Sequence, residues 1–136
     1  MDDKRHKLFT DGGARGNPGP AAIGGVLYDT GEKVLYEFAQ VIGTNTNNQA
    51  EYRALAEGLR QARSFAIEVL DCYLDSELVV RQVNGQYKVK EAELKTLHDE
   101  VTGQIGSFLE VNFHHVPRTK NRHADRLVNE ALDGKR

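Results

Sequence analysis

Four acids stand where apolar structure starts or stops. Asp11 follows the run 7–10, Glu51 comes one residue ahead of an apolar stripe, Asp75 closes the run 68–74, and Asp125 sits between Ala124 and Leu127. A carboxylate beside a buried strand end costs desolvation unless it is paired, so Asp11 and Asp75 need a reason to be there. Glu51 and Asp125 have a plainer account as acids in the first turn of a helix, where the macrodipole favours negative charge by about 0.3–1 kcal/mol. If all four converge, their repulsion must be neutralised, and hard divalent cations with oxygen ligands do that. Two Mg²⁺ or Mn²⁺ ions balance four carboxylates, and a pair about 3.5–4 Å apart can activate a water and stabilise the leaving oxygen of a phosphodiester. Cysteine and histidine do not occur at the spacing of a zinc site, which leaves carboxylate-bound Mg²⁺ or Mn²⁺ as the expectation.

The first acid opens "TDGGARGNPGP". Gly12 and Gly13 carry no Cβ and let a ligand come close to the backbone. The segment "NPGP" reads as a rigid turn, and no Gly-Lys-Ser/Thr follows, so it is not a phosphate-binding P-loop.

The elements that must position these residues follow from periodicity. Residues 7–10 read as a strand ending at Asp11. Residues 21–28 and 33–42 read as two strands joined by the turn "DTGE". The cluster "NTNNQ" can cap a helix whose stripe is Tyr52, Leu55, Ala56, Leu59 and Ala62. Residues 68–74 form a fourth strand ending at Asp75, and Ser76 caps a helix with Leu78, Val79 and Val83. A further helix carries Leu94, Leu97, Val101, Ile105 and Phe108. A strand over 109–116 stops at Pro117, and Asn121 caps a last helix with Ala124, Leu127, Val128, Ala131 and Leu132 on one face. Opening hairpins followed by alternating helices and strands predict an α/β fold with a mixed sheet. In such sheets ligands gather beyond the carboxyl ends of the strands.

Composition bounds the rest. The 136 residues suit one domain over 1–136, with 39% hydrophobic and 28% charged residues. No apolar run approaches the roughly 20 residues of a membrane span, and the N-terminal stretch lacks the pattern of a signal peptide. Cys72, the single cysteine, lies in an apolar run and reads as core, and a reducing cytoplasm is the expected setting. The net charge of −2 argues against a partner held by global charge, but Arg118, Lys120, Arg122 and Arg126 form a local basic run.

The segments "TDGGARGNPGPAAIGGVL" with Asp11, "TNTNNQAEYRALAEGL" with Glu51, "YLDSELVVRQVNG" with Asp75 and "VPRTKNRHADRLVNEAL" with Asp125 resemble the type 1 ribonuclease H family over nearly the whole chain. The resemblance implies a five-stranded mixed sheet flanked by helices on both faces. It implies endonucleolytic cleavage of the RNA strand of an RNA/DNA hybrid by two divalent metal ions, leaving 3′-hydroxyl and 5′-phosphate ends. Asp11, Glu51, Asp75 and Asp125 become the metal ligands. Gly12 and Gly13 meet the RNA minor groove, where the 2′-hydroxyl distinguishes RNA from DNA. Asn17, Asn47 and Asn48 fall at positions that hydrogen-bond sugars and base edges, and Thr46 at one that holds a DNA phosphate. Helix capping is the plainer account of Asn47 and Asn48. A monomer with no obligate protein partner is expected.

The sequence departs from the family pattern twice. Many members carry an auxiliary histidine in a loop before the last acid; here Arg118 lies nearest that role, with His115 and His123 as rivals. His123 is expected to face solvent, and one of His114 and His115 to be an ordinary sheet residue. Many members also insert a basic, tryptophan-bearing helix, for which residues 84–95 leave no room, and the chain has no tryptophan. Lys88, Lys90 and Lys95 remain there, with ordinary surface charge as the plainer account. Without the insertion, weaker substrate binding is expected than in members that carry it, and the family's separate N-terminal hybrid-binding domain is expected to be absent. Two other functions compete: a DNA-cutting nuclease or strand transferase on the same fold, and a catalytically silent nucleic-acid-binding module. Gly12-Gly13 and Asn47-Asn48 weigh against the first, and clustered negative charge beside phosphates weighs against the second.

Overall fold

The computed structural model describes residues 5–136. Strands β1 (Arg5–Ala14), β2 (Gly19–Tyr28) and β3 (Val34–Asn45) come first. They are followed by α1 (Asn47–Ser64), β4 (Val69–Leu74), α2 (Glu77–Val83), α3 (Ala92–Ile105), β5 (Glu110–His115), a single 3-10 turn (Arg118–Lys120) and α4 (Arg122–Leu132). The sheet order is β3-β2-β1-β4-β5. The first three strands pair antiparallel, and β4 runs parallel to both β1 and β5. This is the mixed five-stranded sheet expected from the sequence.

Local chemistry sets the element boundaries. Asp29 Oδ1 accepts from the amides of Gly31 and Lys33 at 2.8 and 2.9 Å, closing the β2–β3 turn. At the start of α1, Thr46 Oγ1 accepts from the Gln49 amide at 3.1 Å while Gln49 Oε1 accepts from the Thr46 amide at 2.8 Å. That reciprocal box satisfies two orphan donors and contributes on the order of 1 kcal/mol.

Helices cover both faces. Tyr52, Leu55 and Leu59 of α1 are fully buried against Leu8, Leu70 and Cys72, and each such leucine contributes roughly 1.5–3 kcal/mol. The same burial pushes the Cys72 thiol pKa up, as a core residue requires. Ile23 packs with Ala54 of α1, whereas its neighbour Ala22 packs with Val128 and Ala131 of α4. Successive strand residues point to opposite faces, so α1 and α4 sandwich the sheet. No helix among the described residues is long and apolar enough to cross a membrane.

The first strand departs from expectation. It does not stop at Thr10 but runs through Asp11, Gly12 and Gly13 to Ala14, because β2 keeps pairing with it: Asp11 opposes Gly24 and Gly13 opposes Ala22. Its other neighbour, β4, drops away after the Phe9–Tyr73 pair. Asp11 therefore lies in mid-strand but two residues beyond the parallel pairing, where the edge of β1 is open. The turn itself comes later, at residues 15–18, closed by the Arg15 amide donating to the Pro20 carbonyl at 2.8 Å.

Candidate active site

Three elements bring acids to this open edge. Asp11 projects from β1, Asp75 directly follows β4, and Glu51 comes from α1. One carboxylate oxygen from each lies within 4.8 Å of the others. Glu51 is in the second turn of α1, whose first turn holds no acid, so the macrodipole account of this residue fails. What orients it is a hydrogen bond: the Gly12 amide donates to Glu51 Oε1 at 2.5 Å. The strand and helix must nearly touch for that bond, and a Cβ on Gly12 would sit 2.2 Å from the Ala50 carbonyl oxygen. Gly12 is thus required by the chain's own packing. Gly13 is different, since its Cβ would meet only Val128 Cγ1 at 3.8 Å.

Asp125, in the first turn of α4, completes the group by facing Asp11. All four acids line one open cleft of about 470 Å³ with Gly12, Gly13, Arg15, Asn47, Asn48, Arg118 and Asn129 among its walls. Asp11 and Glu51 are buried, at 8% and 6% exposure. Burial pushes the Asp11 carboxyl up to about 7; its bond with Glu51 opposes the rise and the charges of Asp75 and Asp125 add to it. Burial, then the Asp11 charge, pushes Glu51 well above the usual carboxylate range. Both carboxyls therefore hold a proton more firmly than a free acid does. Glu51 Oε2 is buried with no hydrogen-bond partner. An all-carboxylate donor set with an unpartnered buried oxygen fits a hard divalent cation.

The other expected residues divide. Arg118 lies in the 3-10 turn with its guanidinium 3.4 Å from Asp125 Oδ1, and its side chain is 79% exposed. Asn17 Oδ1 accepts from the Asn47 amide at 3.0 Å, and Asn47 Oδ1 accepts from the Ala14 amide at 2.9 Å, so this pair ties the β1–β2 turn to the start of α1. Asn48 lies beside them on the cleft wall. Thr46 uses its oxygen as a cap acceptor, which leaves its hydroxyl proton to donate outward.

His123 corrects an expectation. It does not face solvent freely but is held by the Tyr28 hydroxyl at 3.3 Å and Glu37 Oε2 at 2.9 Å. His114 is the sheet residue, bonded to Asp71 at 3.1 Å and stacked on Tyr73. His115 is exposed at the end of β5, opposite Leu74.

Asn121 corrects another expectation, because the capping role the sequence suggests for it is not the one it plays. It occupies the N-cap position of α4, yet its side chain makes no cap bond. Buried at 1% exposure, it donates instead to the Thr10 carbonyl at 2.9 Å and to Asp75 Oδ2 at 3.3 Å. An asparagine before a helix carries no sequence signal that separates the two uses.

Known proteins share this fold. The reverse transcriptase-like family model matches residues 9–131. The bifunctional protein Rv2228c of Mycobacterium tuberculosis is 44% identical over 127 residues, 93% of this chain but 35% of that protein. The chain therefore spans about a third of the length of the mycobacterial relatives it matches. A ribonuclease H of Acidovorax is 33% identical over 143 residues, covering 93% of each chain. The solved N-terminal RNase H domain of Rv2228c superposes with a TM-score of 0.93 at 40% identity, covering 98% of this chain and 96% of that one. LC11-RNase H1, solved in complex with an RNA/DNA hybrid, gives 0.90 at 44% identity, covering 95% and 97%. Residues 84–91 hold no helix between α2 and α3, so the fold is the form without the basic protrusion. From the sheet order to the full-length match with a named ribonuclease H, the findings agree that this chain belongs to the ribonuclease H family.

Proposed function

We propose that the chain is a hybrid-specific endoribonuclease. It hydrolyses phosphodiesters in the RNA strand of RNA/DNA hybrids and leaves 3′-hydroxyl and 5′-phosphate ends. The observation that carries this reading is the convergence of Asp11, Glu51 and Asp75, with a buried unpartnered oxygen on Glu51, at an open cleft rather than inside the core. Asp11, Glu51, Asp75 and Asp125 would hold two divalent ions, Mg²⁺ or Mn²⁺. Such ions, when bound, lower the barrier by activating a water and offsetting charge on the leaving oxygen.

The residues do the rest. Asp11 and Glu51 would present their carboxylate oxygens as acceptors to a bound cation, which would favour their charged forms. The Gly13 backbone, Asn47 and Asn48 on the cleft wall, with Asn17 bonded to the Asn47 amide, read the 2′-hydroxyl side of the RNA strand. The Thr46 hydroxyl donates to a phosphate of the DNA strand. Arg118 grips a phosphate beside Asp125; its guanidinium keeps its charge and cannot shuttle a proton. In the net reaction water adds to phosphorus, the bond from phosphorus to the 3′-oxygen breaks, and that oxygen leaves with a proton.

Incubation with Mg²⁺ or with Mn²⁺ and labelled RNA/DNA hybrid, double-stranded RNA, single-stranded RNA and double-stranded DNA tests the reading. Cleavage confined to the RNA strand of the hybrid is expected. Equal cleavage of double-stranded DNA, or no cleavage of any substrate with either metal, overturns it.

A further inference from the structure

Arg15 is the other cation on the cleft wall, and neither the sequence motifs nor the acid cluster accounts for it. It lies in the β1–β2 turn, whose shape is fixed: a Cβ on Gly19 would sit 2.2 Å from the Arg15 carbonyl oxygen, so the chain is packed on itself there. The guanidinium reaches across to the far end of α4. Nη1 is 2.7 Å from Asp133 Oδ1 and Nη2 is 3.5 Å from Asn129 Oδ1. Asp133 is the C-cap of α4. An acid there opposes the macrodipole, so the helix gains nothing from it locally. Its partner explains it: hydrogen bonding to Arg15 holds the Asp133 carboxyl below the usual carboxylate range. Yet the pair is open to solvent, with the two side chains 49% and 41% exposed, and exposed pairs contribute little to stability.

Arg15 and Arg118 line the same cleft as the acids and meet α4 at opposite ends. Arg118 meets α4 at Asp125, and Arg15 meets it at Asn129 and Asp133. Eight residues of helix separate those ends, about 12 Å. A nucleic-acid strand carries one charge about every 3.4 Å of its axis, so a strand lying over the acids can reach both cations.

We propose that Arg15 is a second phosphate contact of the cleft, for the strand being cut, and that Asp133 holds it in readiness and yields it when that phosphate arrives. The proposal rests on the hybrid-cleaving reading above. A phosphate offers the planar guanidinium two acceptors, whereas Asp133 engages a single nitrogen.

The test uses the full chain and the variants Arg15→Gln, Asp133→Asn and the double variant, with RNA/DNA hybrid as the probe. KM, kcat and the salt dependence of KM are measured, and Tm checks that each variant folds. Arg15→Gln should raise KM about tenfold, the scale of one charge-assisted contact, with kcat within about twofold. Loss of one phosphate contact should also reduce the logarithmic salt slope by about one. Asp133→Asn should lower KM, because the competitor is gone, and the double variant should behave as Arg15→Gln. A merely structural clasp predicts that both single substitutions weaken binding alike, and that result, or a silent Arg15→Gln, overturns the proposal. A wild-type chain that leaves the hybrid uncut overturns the functional reading together with this one, whereas an active wild type with a silent Arg15→Gln overturns this one alone.

Discussion

Asn121 donates to Asp75 Oδ2 at 3.3 Å while the same amide nitrogen holds the Thr10 carbonyl at 2.9 Å. One buried side chain at the head of α4 thereby fixes Asp75 relative to the strand that carries Asp11. Its own Oδ1 is buried without a partner, a cost that a merely structural residue has no reason to keep. Asn121→Ala should destabilise the fold by about 1–3 kcal/mol, the penalty for stranding a buried carbonyl. It should also lower kcat, because Asp75 loses its orientation. Thermal unfolding and kcat together check this, and a variant with full kcat would show that Asp75 needs no such support.

The buried acids make a prediction about pH. Asp11 titrates near 7 in the folded chain and Glu51 is raised as well, whereas unfolded carboxyls titrate near 4. Between those values the folded state binds more protons than the unfolded state, so stability falls as pH rises. In EDTA the Tm should therefore decline from about pH 5 to pH 8 and level off above it. Asp11→Asn should flatten that decline and be more stable than the parent at pH 8. Mg²⁺ should raise the parent Tm at pH 8 by binding the folded state only. Cleavage by Asp11→Asn, Glu51→Gln or Asp75→Asn should be abolished with the fold intact. Near-normal turnover in any of these at saturating metal would overturn the assignment of the acids.

Gly12 and Gly13 should respond in opposite ways to the same change. A methyl on Gly12 meets the Ala50 carbonyl at 2.2 Å, so α1 must move and the bond to Glu51 must break. Gly12→Ala should lose about 3 kcal/mol or more, in line with overpacking at a rigid backbone contact. Gly13→Ala has room and should keep its Tm, but raise KM for the hybrid by crowding the wall that meets the RNA. Equal stability loss in both would contradict the packing described here.

Much of this was legible in the sequence, for identifiable reasons. The α1 stripe and the capping cluster 45–49 are local patterns, although the cap is Thr46 paired with Gln49 rather than Asn47 or Asn48, and the alternation of helices and strands dictates parallel pairing by connection length alone. The extent of β1 was not legible, because glycines signal a turn unless a partner strand keeps pairing with them, and that partner is remote in sequence. Asp125 stands in the first turn of α4 as the sequence predicts, whereas Glu51, expected in the first turn of α1, lies in the second, a boundary shift that changes its physical account. Asn121, Arg15 and the engagement of His123 by Tyr28 and Glu37 depend on contacts between residues about a hundred apart. No local pattern reports such contacts.

Arg118 carries the last prediction. Its guanidinium stands 3.4 Å from Asp125 and is largely exposed, so nothing structural depends on it. The charges of Asp125, Asp11 and Asp75 all act on it, Asp125 most, which places its own charge over the acids. As a phosphate contact it should matter to turnover and not to metal binding. Arg118→Ala should lower kcat by about 10–100-fold, roughly 1.4–2.7 kcal/mol of barrier, with the Mg²⁺ titration midpoint unchanged. His123→Ala should leave kcat near normal and lower Tm, because that ring is occupied by Tyr28 and Glu37. His115 is the other rival, exposed one residue before Val116 at the mouth of the same loop. If His115→Ala costs more kcat than Arg118→Ala, the auxiliary role belongs to the histidine. A rate that then follows the titration of an imidazole would identify it as a proton carrier, which an arginine cannot be.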